Sequence, residues 1–336
     1  MEKKRIYKYD NLKFLLIILV IVGHMINFFN GYKQYDDLLM IRTFIYSVHM
    51  PAFIFLSGLF YKEKDTAVKA FQFFSIGILM HVANSLSLIP FGYAFKPSIL
   101  TVPGVPWYMY AMAFFYIIMY LLRSVNKKQL LVISSILSLL IGCTAQLGDF
   151  LSLTRVIVFF PVFLLGTLTD RDKLVKTTDK LWLKLPALAV IAGWAALIIT
   201  KFNNIKKLAP LFSGKNAYEK LSGGLSVYGI PLRMLVFFIA FILCLSLLCL
   251  VPNKKIPLIT VFGSRTLQVY FWHSPVIFII IQTGLAAEMT TSIKRRLVYL
   301  ALGIVIAFVL SLKPFGFPTN QIIKHSKSPE SKGEVR

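Results

Sequence analysis

Acidic side chains are scarce in this chain: 14 Asp and Glu stand against 37 Lys and Arg. All of them, from Glu2 and Asp10 to Glu330 and Glu334, fall at the edges of apolar runs or between them. Proton-coupled carriers rely on carboxylates inside the bilayer, so this absence weighs against that class. Cysteine is almost missing too. Cys143, Cys244 and Cys249 each sit in an apolar run, with no CxxC pair, which argues against a disulfide framework or a thiolate metal site. No metal is expected. No internal repeat is visible, and no second, soluble domain. The first apolar run lacks a small-x-small cleavage site and contains His24, so it does not read as a secretory leader. What the chain has in quantity is apolar surface. It is 57% hydrophobic with mean hydropathy +0.71, against about 45–50% apolar in soluble domains. A formal charge of +23 would suggest nucleic acid on a soluble protein. On this background it points to membrane topology and anionic lipid instead, and nucleic acid is not an expected partner.

The expected fold is all-α: a polytopic transmembrane helical bundle of about ten spans. Candidate spans are 11–29, 38–61, 67–90, 106–123, 129–147, 153–169, 182–200, 228–251, 256–283 and 295–312. The sixth is short and the ninth long, which suggests tilt or a re-entrant piece. Lys3, Lys4, Arg5 and Lys8 place the N-terminus in the cytoplasm, and an even number of spans returns the C-terminus there. The organisation read from the chain is a membrane domain over 9–312 and a basic, disordered cytoplasmic tail over 313–336.

Within the spans the polar residues are imidazoles and basic side chains. Lys13 and His24 lie eleven steps apart. On a helix that is about 20° past three turns and about 16 Å of rise, which puts both on one face. The sequence places the ammonium near the headgroups and the imidazole deep in the hydrocarbon. Arg42 and His49, seven apart, share a face of the second span. His81, Arg155, Arg233, Arg265 and His273 follow in later spans. A cavity lined by imidazoles and guanidiniums suits an anionic ligand and proton transfer near neutral pH. Blander readings stand beside this one. His81 fits a bond to a neighbouring backbone carbonyl, Arg155 and Arg233 fit snorkelling to headgroups, and Lys13 fits a boundary lysine. Pro51 kinks the second span ahead of Ser57-Gly58, for packing or for function. Trp107 and Tyr108 read either as an interfacial belt or as a platform on which a sugar ring stacks.

Taken in order, these segments resemble the acyltransferase 3 family of integral-membrane acyltransferases. Asp10-Asn11-Leu12-Lys13…Gly23-His24 is similar to its first-span signature of a basic residue, ten intervening residues and histidine. His49-Met50-Pro51…Ser57-Gly58, Pro106-Trp107-Tyr108, Arg155…Phe160-Pro161…Gly166 and Gly263-Ser264-Arg265…His273-Ser274-Pro275 resemble later ones. The resemblance runs from about residue 9 to 312, and the first span is nearest the fucose 4-O-acetylase-like branch. Lys13 stands where many members carry arginine, keeping the charge without the planar fork.

The resemblance implies a plasma-membrane O-acyltransferase, and specifically an O-acetyltransferase. Acetyl-CoA from the cytoplasm would be the donor, and a hydroxyl of a cell-surface or lipid-linked glycan the acceptor. Membrane lipids and glycan-assembly proteins are the remaining expected partners. His24, Lys13, His49 and Arg42 are the expected catalytic set. Lys13, Ser57 and Arg265 would hold the donor, and Trp107, Tyr108, Arg155 and His273 the acceptor. With no hydrolase-like domain after the spans, the membrane domain would acylate its acceptor directly or pass the acyl group to a partner. Two rival readings are a flippase or transporter for an anionic lipid-linked sugar, and a non-catalytic member of a glycan-synthesis complex.

Overall fold

Long apolar stretches form helices through the described residues, three of them with a proline inside, at Pro51, Pro161 and Pro275. The computed structural model describes residues 5–30, 32–102, 104–145 and 147–325. The helices are α1 (Tyr7–Asn27), α2 (Asp36–Leu59), α3 (Thr66–Leu88), α4 (Trp107–Leu121) and α5 (Lys127–Leu140). They continue with α6 (Leu153–Leu168), α7 (Arg171–Thr178), α8 (Lys184–Ile205), α9 (Ala209–Phe212) and α10 (Gly229–Leu250). The last are α11 (Ile259–Gly263), α12 (Thr266–Gln282), α13 (Leu285–Glu288), α14 (Ile293–Leu310) and α15 (Thr319–His325). No strand element forms among the described residues. Starts follow side-chain caps where the sequence supplies them. Asn126 accepts from the Lys128 N–H ahead of α5 at 2.8 Å. Asp170 accepts from the N–H groups of Asp172 and Lys173 ahead of α7, each at 2.9 Å.

The all-α expectation holds; ten helices of spanning length are not what the fold shows. Among the described residues, five helical stretches are long and apolar enough to cross a membrane, or six if α6 and α7, bent by 88°, count as one broken span. The remaining apolar helices fall short of the roughly 20 residues that a 30 Å hydrocarbon layer asks for; α4 has 15 residues and α5 has 14. The long run 256–283 is not one span: it breaks at Ser264-Arg265 into α11 and α12. The disordered tail also needs correcting in its first part. The indole N–H of Trp272 donates to the carbonyls of Phe315 and Phe317 at 3.1 and 2.8 Å. α15 packs on α3, where the Gln72 amide donates to the Ile323 carbonyl at 3.4 Å. One indole and the packing of α15 on α3 thus hold 313–325 in place; residues 326–336 lie outside the described part.

The helices group into two compact units, Met1–Tyr61 with Ser124–Ser264, and Lys62–Arg123 with Arg265–Arg336. In the first, α2 packs on α1, α6 and α10. The crossing of α2 and α6 is backbone on backbone: a Cβ on Gly58 would run into the Phe163 carbonyl, and one on Gly166 into the Phe55 carbonyl. The two glycines therefore serve each other's helix, which accounts for both signature segments that contain them.

The start of α1 is clamped at the same end of this unit. Lys8 is fully buried; its ammonium meets Asp179 at 2.6 Å and donates to the Leu248 carbonyl at 2.7 Å and the Thr178 hydroxyl at 3.1 Å. The Asn11 amide donates to the carbonyls of Pro252 and Lys254 and accepts from the Thr260 hydroxyl. Gly263 is glycine because a side chain there would strike the Asp10 carbonyl. In the second unit α3 packs on α4 and α12, and α14 lies on α12.

Candidate active site

α1 is one unbroken helix from Tyr7 to Asn27, so Lys13 and His24 do share a face at opposite ends. His24 falls in the last turn of α1. Beside it, Gly23 leaves room for a ring from α2: a Cβ there would stand 3.2 Å from the ring of Tyr46. The His24 and Tyr46 ring centroids are 6.4 Å apart, and those of Tyr46 and His49 are 5.0 Å apart. The Arg42 guanidinium covers the Tyr46 ring at 4.3 Å and donates through Nε to the Asn27 side-chain oxygen at 3.1 Å. Two imidazoles thus flank one phenol ring, with a cation stacked on it.

The orientation of His49 follows from its own helix. Its Nδ1 lies 2.7 Å from the Ile45 carbonyl, which can only accept. Nδ1 therefore carries the proton and Nε2 keeps its lone pair, the form a base needs. His49 is 3% exposed, and the polar groups facing it are Tyr46 and, through that ring, Arg42. Arg155, at the start of α6, donates through Nε to the Ser213 carbonyl at 3.2 Å.

At the other end of the same unit Lys13 pairs with Asp10 at 2.8 Å, and Asp10 pairs with Arg5 at 2.7 Å. Lys13 also stands over the Phe60 ring, with Arg171 over the same ring, each 5.3 Å from its centroid. Phe60 itself is 39% exposed. Ser57 donates to the Phe53 carbonyl at 2.9 Å, one turn from that ring.

The second unit holds the other expected residues. Trp107 and Tyr108 open α4 and are buried, 6% and 9% exposed, so they do not present open faces. Tyr108 packs on Tyr270 at 5.3 Å, and Tyr270 on His273 at 5.3 Å. The Tyr270 hydroxyl donates to the Val105 carbonyl. His273 Nδ1 faces the Tyr270 carbonyl at 2.7 Å, the same device as at His49. Arg265 donates to the Ser311 carbonyl at 2.9 Å, and Gln268 to the Leu310 and Leu312 carbonyls, each at 2.8 Å. Both thereby satisfy the open end of α14. Pro103, which heads the aromatic segment in the sequence, lies outside the described residues.

Lys13, His24, Arg42, His49, Ser57 and Arg155 therefore belong to one unit, and Trp107, Tyr108, Arg265 and His273 to the other. Within the first, His24, Arg42 and His49 gather on the Tyr46 ring, with Arg155 within electrostatic reach of the same phenol. The sequence reading missed that ring: Tyr46 lies four residues after Arg42 and three before His49, a helical spacing that would have found it. It also took Lys8 for a solvated topology signal.

The acyltransferase domain family model matches residues 6–312, nearly the whole chain. The chain belongs to the acyltransferase 3 family. No curated protein and no solved structure matches it. Membership makes this a membrane acyltransferase, and the signature positions of the family gain physical roles here. Gly23-His24 brings a histidine and a tyrosine ring together, Gly58 and Gly166 let α2 and α6 touch, and Gly263 lets α11 close on α1.

Proposed function

We propose that this acyltransferase moves an acetyl group from cytoplasmic acetyl-CoA to a hydroxyl of a cell-surface or lipid-linked glycan. The observation that carries the reading is the grouping of His24, Tyr46, His49 and Arg42. Acyl transfer asks for a base to take the hydroxyl proton and for positive charge where the carbonyl oxygen becomes an oxyanion. His49, with Nδ1 occupied and Nε2 bare, suits the first task. Arg42, held by Asn27, suits the second. His24 faces the same phenol and is placed to receive the proton or to return it to the departing sulfur. The new bond joins the acceptor oxygen to the acyl carbon, the carbon–sulfur bond breaks, and the proton ends on the thiol.

The opposite end of the unit suits the donor's anionic groups. Lys13 and Arg171 flank the half-open Phe60 ring, which offers two cations and an apolar face to a nucleotide diphosphate. Lys13 shares its charge with Asp10, so Arg171 supplies the less encumbered contact. The lysine- and arginine-rich N-terminus puts this end in the cytoplasm and the histidine end toward the far leaflet of the plasma membrane. The Lys13–His24 rise of about 16 Å then matches an extended arm reaching from bound phosphates to a distant thioester.

The test is reconstituted protein with radiolabelled acetyl-CoA and an envelope glycan fraction, wild type beside His24→Ala. Base-labile label enters the glycan with wild type only. Donor-binding preparations in which both proteins transfer label equally remove His24 from the mechanism. Failure of wild type to bind acetyl-CoA removes the donor assignment.

A further inference from the structure

The sequence leaves Arg155 as an acceptor contact or as a side chain that snorkels to headgroups, and the structure gives it other surroundings. It is 8% exposed, too enclosed for a guanidinium that reaches the interface. Its Nε donates to the Ser213 carbonyl at 3.2 Å. One turn along α6, the Phe159 ring lies where a side chain on Gly214 would go. α6 thus holds the segment that follows α9 at two adjoining points. That segment is fastened elsewhere too. The Asn216 amide donates to the Pro210 carbonyl at 3.1 Å and the Ser213 hydroxyl at 2.9 Å. Lys215 pairs with Asp149 at 2.8 Å, and the Tyr218 hydroxyl donates to the Leu139 carbonyl at 2.6 Å.

Tyr46 meets the same segment from α2. Leu211 and Phe212 form a buried apolar cluster with Tyr218, Leu221 and Val236, and the Tyr46 ring packs against it. Phe212 is followed directly by Ser213, whose carbonyl Arg155 takes. Helix register brings the two side chains to one level independently. Gly58 and Gly166 fix the crossing of α2 and α6, and Pro51 and Pro161 wall one cavity further along, so the helices stay side by side. Tyr46 stands twelve residues before Gly58 and Arg155 eleven before Gly166, rises of about 18 and about 16 Å. In keeping with this, the charges of Arg42 and Arg155 both act on the Tyr46 phenol.

A guanidinium can only donate, whereas a phenol oxygen has lone pairs and a single proton. Cations beside it draw the lone pairs and leave the proton for its other neighbours, the His24 and His49 rings at 6.4 and 5.0 Å between centroids. We propose that Arg155 is a positioning residue of the acyl-transfer site: its charge, set in place by the Ser213 carbonyl, turns the Tyr46 hydroxyl so that its proton faces the imidazoles. This rests on the acetyl transfer proposed for that cluster, and it takes Arg155 out of the acceptor contacts that the family resemblance implies.

Two measurements on the full chain in nanodiscs test it. The first needs no turnover: Tyr46 is replaced by p-cyanophenylalanine, whose nitrile infrared band reports the field where the phenol oxygen stands. The band shifts in Arg155→Gln. It holds in Arg155→Lys, which keeps the charge, and in Lys13→Gln, about 15 Å along α1 from the Gly23 that faces the ring. A band unmoved by Arg155→Gln overturns the proposal. So does a band moved equally by Arg155→Lys, which would leave only the lost Ser213 contact to account for it. The second is steady-state transfer from labelled acetyl-CoA to the envelope glycan fraction. Arg155→Gln lowers kcat roughly tenfold or more with the half-saturating amount of acceptor unchanged, and Arg155→Lys recovers most of kcat. A raised half-saturating amount at unchanged kcat assigns Arg155 to the acceptor and overturns the proposal. A nitrile that responds as expected while wild type transfers no acetyl group supports the Arg155–Tyr46 pairing and brings down the acetyl-CoA reading instead.

Discussion

Tyr46→Phe separates what the phenol does by packing from what it does by chemistry. The ring fills the space that Gly23 leaves, lies 5.0 Å from His49, and carries Arg42 on its face at 4.3 Å. Phenylalanine keeps the shape and the cation–π contact, so stability should change by only a few tenths of a kcal/mol, within the usual scatter of mild substitutions. If the hydroxyl passes a proton between the imidazoles, turnover falls by roughly 10²-fold or more, the range of a lost acid–base group. Tyr46→Leu removes the ring as well. It frees Arg42 from a partly exposed cation–π contact worth about 1 kcal/mol, which is roughly fivefold if that cation stabilises the oxyanion. The order wild type, then Phe, then Leu should therefore appear in kcat for acetyl transfer from labelled acetyl-CoA, with equal amounts of folded protein verified by thermal unfolding in detergent. Full activity in both variants would refute the role given to this cluster. Equal loss in both would assign the effect to the hydroxyl alone and remove Arg42 from the oxyanion.

Other perturbations test the frame around the site. Lys8→Met withdraws three contacts from a fully buried ammonium. Because Asp179 is 39% exposed, the loss should be about 2–3 kcal/mol, below that of a wholly buried pair; it is read as a fall in Tm, and an unchanged Tm contradicts the clamp. Gly58→Ala or Gly166→Ala forces α2 and α6 apart at a backbone contact and should cost about 1–3 kcal/mol or more, whereas Gly193→Ala, which meets open space, should be neutral or mildly stabilising in the same assay. The Lys173 N–H, with that of Asp172, holds the Asp170 carboxyl below the usual carboxylate range. Its contribution to the start of α7 is therefore complete above the ordinary carboxylate pKa of about 4 and is lost as pH falls through the lower folded value. Asp170→Asn should flatten that part of the acid unfolding profile, and an unaltered profile removes the cap from the account.

Much of the first unit was legible from helical period alone. Lys13 and His24 share a face because eleven steps nearly close three turns, and Arg42 and His49 because seven nearly close two. Tyr46 was hidden by composition: a phenol in an apolar span counts as one more aromatic, and only its spacing from two flagged residues reveals it. The grouping of residues 62–123 with 265–325 could not be read, because apolar runs do not say which other runs they pack against. The glycines misled in a different way. Ser57-Gly58 reads as part of a polar site, yet the need it answers is contact with Gly166, more than 100 residues later in the chain. Arg265 likewise reads as an anion-binding group, and the structure gives its guanidinium a carbonyl at the end of α14.

The clamp on Lys8 bears on how the protein is made. Synthesis proceeds from the N-terminus, so α1 reaches the membrane before any of its fastenings exist. Asp179 and Thr178 are about 170 residues away, and Leu248 is 240 residues away. Until Thr178 and Asp179 are made, about half-way through the 336 residues, Lys8 is an ordinary hydrated cation, available to the insertion machinery as an orientation signal. It loses that character when Thr178 and Asp179 arrive, and the clamp closes with the Leu248 carbonyl and the Pro252 and Lys254 carbonyls that Asn11 takes. The same side chain would serve first as an address and later as a rivet. A chain truncated before residue 178 would keep the address and lack the rivet altogether, leaving α1 unlocked.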